Sequence, residues 1–141
     1  MTATSTRDDY GLLEAVRWYF ERFKERTGIK INFTHGKLDG RLPARIETSA
    51  YRIIQEALSN AAKHSGAGSI DVRMSHDEAV LNISIQDDGR GFDPEKAPSG
   101  MGLTGMQDLC ELAGGSLSID SSPGEGTLIS CELPIERQTI N

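Results

Sequence analysis

The sequence predicts an α+β fold, a two-layer α/β sandwich with about three helices on one face of a mixed sheet of about five strands. Three observations carry this. Long stretches repeat apolar residues at helical spacing, shorter ones alternate apolar with polar residues, and most neighbouring strand candidates are separated only by tight turns. Hairpin-linked strands with a few helices suit helices packed on one side of a sheet. At 141 residues the chain can bury one core and is too short for two ordinary domains.

Each element has its own signal. Asp8 or Asp9 can cap a first helix running to about Arg26, with Leu12, Leu13, Val16, Tyr19, Phe20 and Phe23 at helical spacing and Gly28 as its stop. Ile29 to Thr34 alternates as a half-buried strand. Pro43 opens the longest helix, to about His64, with Ile46, Ala50, Ile53, Ala57 and Ala61 as its buried stripe and Ser65-Gly66 as its end. Ser69 to Ser75 and Ala79 to Asp87 form a hairpin around His76-Asp77-Glu78. Asp88 to Gly100 reads as an ordered turn leading into a mobile loop, and Leu103, Met106, Cys110 and Ala113 mark a short helix closed by Gly114-Gly115. Ser116 to Asp120 and about Thr127 to Leu133 are strands around the turn Ser122-Pro123-Gly124.

Composition narrows the function. With 15 Lys and Arg against 21 Asp and Glu, the net charge is −6 and the pI about 5.0, which argues against nucleic acid held by broad phosphate attraction. No window approaches the ~18 apolar residues that span a bilayer, and Thr2 to Asp9 has no signal-peptide hydrophobic region, so the domain is expected in the cytoplasm and off the membrane. Cys110 and Cys131 match no metal spacing and read as reduced core thiols. Glycine is unevenly placed: nine of 15 lie between Gly89 and Gly126, in a stretch too periodic to be a linker. Such clustering implies close backbone approach or positive φ.

Three segments carry candidate chemistry. On the long helix Arg52, Glu56, Asn60 and Lys63 with His64 fall in one stripe beside the apolar one. A solvated face has the same pattern, but Glu, Asn and Lys together can polarise water, coordinate Mg²⁺ and contact phosphate, and Mg²⁺ needs few protein oxygens when phosphates and water complete its shell. Asp87-Asp88-Gly89-Arg90-Gly91-Phe92 ends a strand with two glycines that let a flat ligand lie on bare backbone and a carboxylate that can accept from an exocyclic amine. Gly100-Met101-Gly102-Leu103-Thr104-Gly105-Met106 opens a helix with free N–H groups, a seat for phosphate, and is neither a Walker A sequence nor a dinucleotide fingerprint.

In order and separation these segments resemble the ATP-binding catalytic domain of sensor histidine kinases, within the superfamily shared with gyrase, the Hsp90 chaperones and MutL. Arg52 to Ser65 is similar to the N box, in the version of kinases that signal to NarL-type regulators; Asp87 to Gly91 to the first glycine box; Gly100 to Gly105 to the second; and Gly124-Glu125-Gly126-Thr127 to the terminal Gly-Thr element. The resemblance covers about Gly11 to Pro134 and implies a Bergerat ATP-binding fold, with residues 1–10 a disordered N-terminal segment, 11–134 the catalytic domain and 135–141 a C-terminal tail.

The resemblance implies roles. Asn60 would ligate the Mg²⁺ that bridges the ATP phosphates, and Glu56 would orient or activate a polar group near the γ-phosphate. Lys63 and His64 would lie near the phosphates. Asp87 would accept a hydrogen bond from adenine N6, Gly89 and Gly91 would admit the ring, and the Thr127 hydroxyl would support the same edge. Gly100, Gly102 and the amides that follow, beginning at Leu103, would cradle phosphate, with Asp93 to Ser99 as a lid. Met101 stands where relatives usually carry a polar residue, and Asp108-Leu109 where they carry a Glu-Arg pair.

None of His35, His64 and His76 sits on a helix upstream of the catalytic domain, so the chain is expected to be the catalytic fragment of a larger sensor that does not autophosphorylate alone. Its expected partners are ATP with Mg²⁺, the histidine-bearing dimerisation domain of the parent and, indirectly, a NarL-type response regulator; an inner-membrane anchor would belong to the parent. Two alternatives stay open: an anti-sigma-type serine kinase of the same superfamily, and a nucleotide-binding module without catalysis.

Overall fold

One sheet, ordered β1-β2-β3-β5-β4, receives all five strands. The computed structural model describes residues 6–36, 42–91, 93 and 103–135. Along the chain these form α1 (Thr6–Thr27), β1 (Lys30–His35), α2 (Ala44–Asn60), a π-helix (Ala61–Ser65), β2 (Ser69–His76), β3 (Val80–Asp87), α3 (Leu103–Leu112), β4 (Ser116–Ser121) and β5 (Thr127–Pro134). β1 pairs with β2 in parallel, from Lys30↔Ser69 to His35↔Met74, and every other pairing is antiparallel. The parallel pair requires a long crossover, which α2 supplies, whereas β2–β3 and β4–β5 close through tight turns.

Period-two patterning sorts the sheet into two faces. Ile70, Val72 and Met74 of β2, Leu81, Ile83 and Ile85 of β3, and Ile129, Cys131 and Leu133 of β5 are buried in one core with Val16, Phe20 and Phe23 of α1, Ile46, Ile53, Ile54 and Leu58 of α2, and Met106 and Cys110 of α3. Arg73 and Asn82 on the opposite face are exposed. The helices therefore lie on one face, as the fold class predicted. Cys110 and Cys131 are buried free thiols with Sγ atoms 3.4 Å apart where α3 meets β5, and burial pushes both thiols up.

Several boundaries move. Helical backbone begins at Thr6, inside the stretch expected to be disordered, so Asp8 and Asp9 are not its cap; a break at Gly11 (φ 80°, ψ −169°) separates this turn from the rest of α1. Residues 1–5 lie outside the described part. β1 begins at Lys30 rather than Ile29. α2 is expected to run as one helix to about His64, yet its α-helical part ends at Asn60 and the last five residues close as a π-helix, with Gly66 (φ 68°) as its left-handed end. At the other end Pro43 is the N-cap, its carbonyl accepting from Ile46 and Glu47 N–H at 2.9 and 3.0 Å. In the β2–β3 turn Asp77 Oδ1 accepts from Ala79 and Val80 N–H. Ile135 N–H still reaches Ala79 O at 2.8 Å, so the paired edge extends past β5 into the expected tail.

Phe23 of α1, fully buried in the core, is the test of this packing. Phe23→Ala is expected to lower stability by about 3–5 kcal/mol through lost transfer energy and a residual cavity. Leu112→Ser, at a side chain 85% exposed, is expected to stay within about 0.5 kcal/mol. Urea unfolding followed by circular dichroism reads both.

Candidate functional site

At one end of the helix-covered face the apolar rows give way to a polar one. Asp87 of β3 pairs with Thr127 of β5, and Thr127 with Ser121 of β4, so the three stand side by side across three strands, one step beyond Ile85, Ile129 and Ile119. Thr127 and Ser121 are 7% and 8% exposed. Their hydroxyls are 2.8 Å apart, and Ser121 Oγ donates to Gly126 O at 2.9 Å. Asp87 Oδ1 accepts from Gly89 N–H at 2.8 Å. Burial pushes the Asp87 carboxyl above the usual carboxylate range, hydrogen bonds from the Gly89 and Thr127 backbones pull against it, and the neighbouring Asp88 charge adds to the rise.

Asp88 does different work. Its Oδ1 accepts from Gly68 and Ser69 N–H at 2.8 and 3.1 Å, its own N–H reaches Ser69 O, and the Ser69 and Gly68 amides hold its carboxyl below the usual range. The pair thus divides: Asp87 belongs to the polar row, while Asp88 clamps the start of β2. Two glycines bring the surrounding backbone together. At Gly126 (φ +75°) a Cβ would run into the Asp87 carbonyl, and at Gly91 (φ +64°) into the carbonyls of Ser122 and Gly126. Both need glycine for conformation and for space. On the side that a Cβ would occupy, Gly91 faces these carbonyls. Arg90 spans outward: its carbonyl accepts from Gly124 N–H at 2.6 Å, and its guanidinium lies over Gly66, where a Cβ would stand 3.3 Å from Nη2. The glycine-rich turn and the end of the α2 segment therefore meet.

On α2, Glu56 lines a groove toward α3 with Arg52, Ser59, Gly105 and Asp108. Asn60 ends the α-helical part, and its Nδ2 is buried without a hydrogen-bond partner. An orphaned buried amide marks a place where a missing group belongs, and which end is oxygen is set by that group. The π-helix begins at the next residue. Its i→i+5 closure moves the position one turn past Asn60 from His64 toward Ser65, which takes Lys63 and His64 off the straight stripe that α spacing implied. Lys63 is exposed, and of His64 only the backbone is described. Leu103 is the first residue of α3. Gly100, Gly102 and the lid beyond Asp93 lie outside the described residues.

Ser121 and Asp88 were not singled out from sequence. Ser121 had a signal: two residues after Ile119 in an alternating strand, it falls on the buried face, where a serine needs a partner. Among the described residues no three His, Cys, Asp or Glu side chains come together, so a metal here would rest on few protein oxygens. The orphaned atom of Asn60 is the amide nitrogen; with the amide turned so that Oδ1 stands in its place, Asn60 would offer one oxygen to an Mg²⁺ carried largely by phosphates and water. No helix among the described residues is long and apolar enough to cross a membrane.

The burial of Asp87 makes a prediction. Because its pKa is raised in the folded state, the ionised carboxylate opposes folding above that raised value, and the penalty is relieved as pH falls through it. Asp87→Asn is expected to unfold at a higher temperature than wild type at pH 7, with the gap closing on acidification through the carboxylate range. A gap of opposite sign that ignores pH would overturn this, and differential scanning calorimetry across pH reads it.

Comparison with known proteins places the chain in a family. Residues 45–137 match the family described as histidine kinase-, DNA gyrase B-, and HSP90-like ATPase. The chain is 36% identical over 129 residues to the signal transduction histidine-protein kinase/phosphatase DegS of Brevibacillus brevis, covering 91% of this chain and 33% of that protein. It is 37% identical over 133 residues to the oxygen sensor histidine kinase NreB of Staphylococcus carnosus (strain TM300), covering 93% and 38%. The chain thus spans about a third of the length of these curated relatives. In fold it is similar to the blue-light activated histidine kinase of Erythrobacter litoralis EL346, with a TM-score of 0.73 at 20% identity over 86% of this chain and 41% of that one. The resemblance carried by the N box and the glycine boxes is borne out, and the chain belongs to the histidine kinase-, DNA gyrase B- and HSP90-like ATPase family as an ATP-binding domain of the histidine kinase kind.

Proposed function

We propose that this chain is the catalytic domain of a sensor histidine kinase, which binds ATP with Mg²⁺ and moves the γ-phosphate to a histidine on a dimerisation domain. The observation that carries the reading is the partnerless buried amide nitrogen of Asn60, one turn past Glu56 on the same helix, in a chain whose relatives over more than nine-tenths of its length are named histidine kinases. In the transfer the bond from the γ-phosphorus to the β,γ-bridging oxygen breaks, a bond to an imidazole nitrogen forms, ADP leaves, and the imidazole gives up its N–H proton. Little covalent work falls to the protein; positioning and charge do most of it.

The residues divide that work. Asp87 accepts from the exocyclic amine of adenine, and Gly89 N–H holds the carboxylate at the right angle. Gly91 and Gly126 keep the backbone behind it close. Asn60 holds Mg²⁺, which when bound supplies charge neutralisation at the phosphates. Lys63, Arg90 and the amides at the start of α3, with Gly100 and Gly102 before it, place positive potential where ATP is most negative, which lets an acidic protein take an anionic ligand. Glu56, facing the α2–α3 groove, orients the polar group that approaches the γ-phosphate. The expected setting is the cytoplasm, where ATP is available and Cys110 and Cys131 stay reduced. The acceptor histidine then serves a response regulator of the NarL type.

Mixing the chain with a separately made dimerisation-and-acceptor fragment and radioactive ATP is expected to give acid-labile phosphate on the fragment and none on the chain alone. Phosphoserine, or rapid self-labelling of the chain on histidine, would overturn the proposal. Asn60→Asp is expected to cut Mg²⁺-dependent transfer roughly a hundredfold, the scale of removing one positioned polar group from a reacting centre. Asp87→Asn is expected to weaken nucleotide binding with or without Mg²⁺, and equal wild-type affinity for ATP and GTP would remove the Asp87 role.

A further inference from the structure

One assignment of protons satisfies both hydroxyl contacts of the polar row at the end of the sheet. A carbonyl only accepts, so the proton of Ser121 goes to Gly126 O, 2.9 Å away. The 2.8 Å contact between Ser121 Oγ and Thr127 Oγ1 still needs a proton, and Thr127 is the side that has one to give. Thr127 therefore donates to Ser121 and presents only lone pairs elsewhere. Beside it in register stands Asp87, which when ionised has no proton to donate and can only accept. We propose that Ser121 is a positioning residue for base selectivity: by taking the Thr127 proton it makes the Asp87–Thr127 wall acceptor-only. Such a wall suits a purine with an amino group at position 6, or a water bridging to one, and refuses a purine with a carbonyl there.

Burial supports the assignment. Both hydroxyls are nine-tenths or more buried, at the end of three strands whose inward rows are otherwise apolar, and satisfying each other there fixes both rotamers. Sequence position points the same way. Ser121 occupies a core-facing site where an aliphatic residue would continue the Leu117, Ile119 series, so a hydroxyl is kept at the expense of core area. The inference rests on Asp87 reading the base amine and adds why Thr127 cannot read a carbonyl in its place.

The test is binding of ADP and of IDP to the full chain by calorimetry, expressed as the ratio of the two dissociation constants. Ser121→Ala frees the Thr127 proton to turn toward the ligand and is expected to lower the preference for ADP about tenfold, the size of one inverted hydrogen bond. Ser121→Thr, which keeps the hydroxyl, is expected to leave the ratio at the wild-type value. A folded Ser121→Ala chain with an unchanged ratio overturns the proposal. Should that variant unfold, Thr127→Val against Thr127→Ser decides: loss of ADP preference only in the valine variant supports it, and an unchanged ratio in the valine variant overturns it. Asp87→Asn separates the two levels. If it leaves the ratio unchanged, the reading of Asp87 fails; if it abolishes the preference while Ser121→Ala and Thr127→Val do not, the role of Ser121 alone fails.

Discussion

The candidate site depends on how closely Gly126 approaches the carbonyl of Asp87. That approach brings the start of β5 against the end of β3, and it is possible only because position 126 has no side chain and adopts φ +75°. Everything functional at this end of the sheet is referred to it. It sets Thr127 opposite Asp87, it points the Gly126 carbonyl toward Ser121, and it leaves the space into which Gly91 packs. A methyl group at 126 would push the two strands apart where the hydrogen-bond row crosses them. Gly91 and Gly126 let protein backbone meet protein backbone, so that one carboxylate is held at the end of a core.

That carboxylate is placed against the interest of stability. A half-buried Asp87 with an upward-shifted carboxyl is a charge the fold would rather not ionise, and only two backbone amides offset the loss of water. Asp88, one residue on, is the opposite case: exposed to solvent, it is favoured in its ionised form by the amides of Gly68 and Ser69. Adjacent identical residues thus carry opposite shifts because one faces the sheet's interior row and the other the start of β2. The first has the character of a recognition group awaiting a donor, and the second that of a structural clamp.

Much of this was legible in the sequence where the physics is local. One-sided burial imposes period two on β2, β3 and β5, and a helix packed on one face imposes a stripe on α2, so Ile70-Val72-Met74 and Ile46-Ala50-Ile53 announce their elements directly. Of the four motifs, the first glycine box and the terminal Gly-Thr element meet at Asp87, Gly91, Gly126 and Thr127. What was hidden depends on partners distant in sequence. Nothing in Gly91 says that Ser122 fills the space beside it, since that contact spans 31 positions. The π-helix is silent because Ala61, Ala62, Lys63, His64 and Ser65 suit either helix, and the difference lies in hydrogen bonds rather than in residue type. Thr6 to Tyr10 carries too few apolar residues to announce a helical turn ahead of the Gly11 break.

The π-helix also sets how the polar side chains of α2 are distributed. A regular α-helix would keep Glu56, Asn60 and His64 in register along one line, pointing all three the same way. Widening the turn directly after Asn60 rotates the following residues away from that line, while Gly66 then reverses the chain into β2 under the Arg90 guanidinium. Glu56 is left facing the open α2–α3 groove, Asn60 keeps its amide buried, and the cationic side chain of Lys63 turns out to solvent. A single break in helical hydrogen bonding gives Glu56, Asn60 and Lys63 these different surroundings without lengthening the element. π-segments are concentrated at functional sites for this kind of reason: the lost regularity has a local cost, and it survives where the altered side-chain directions are needed.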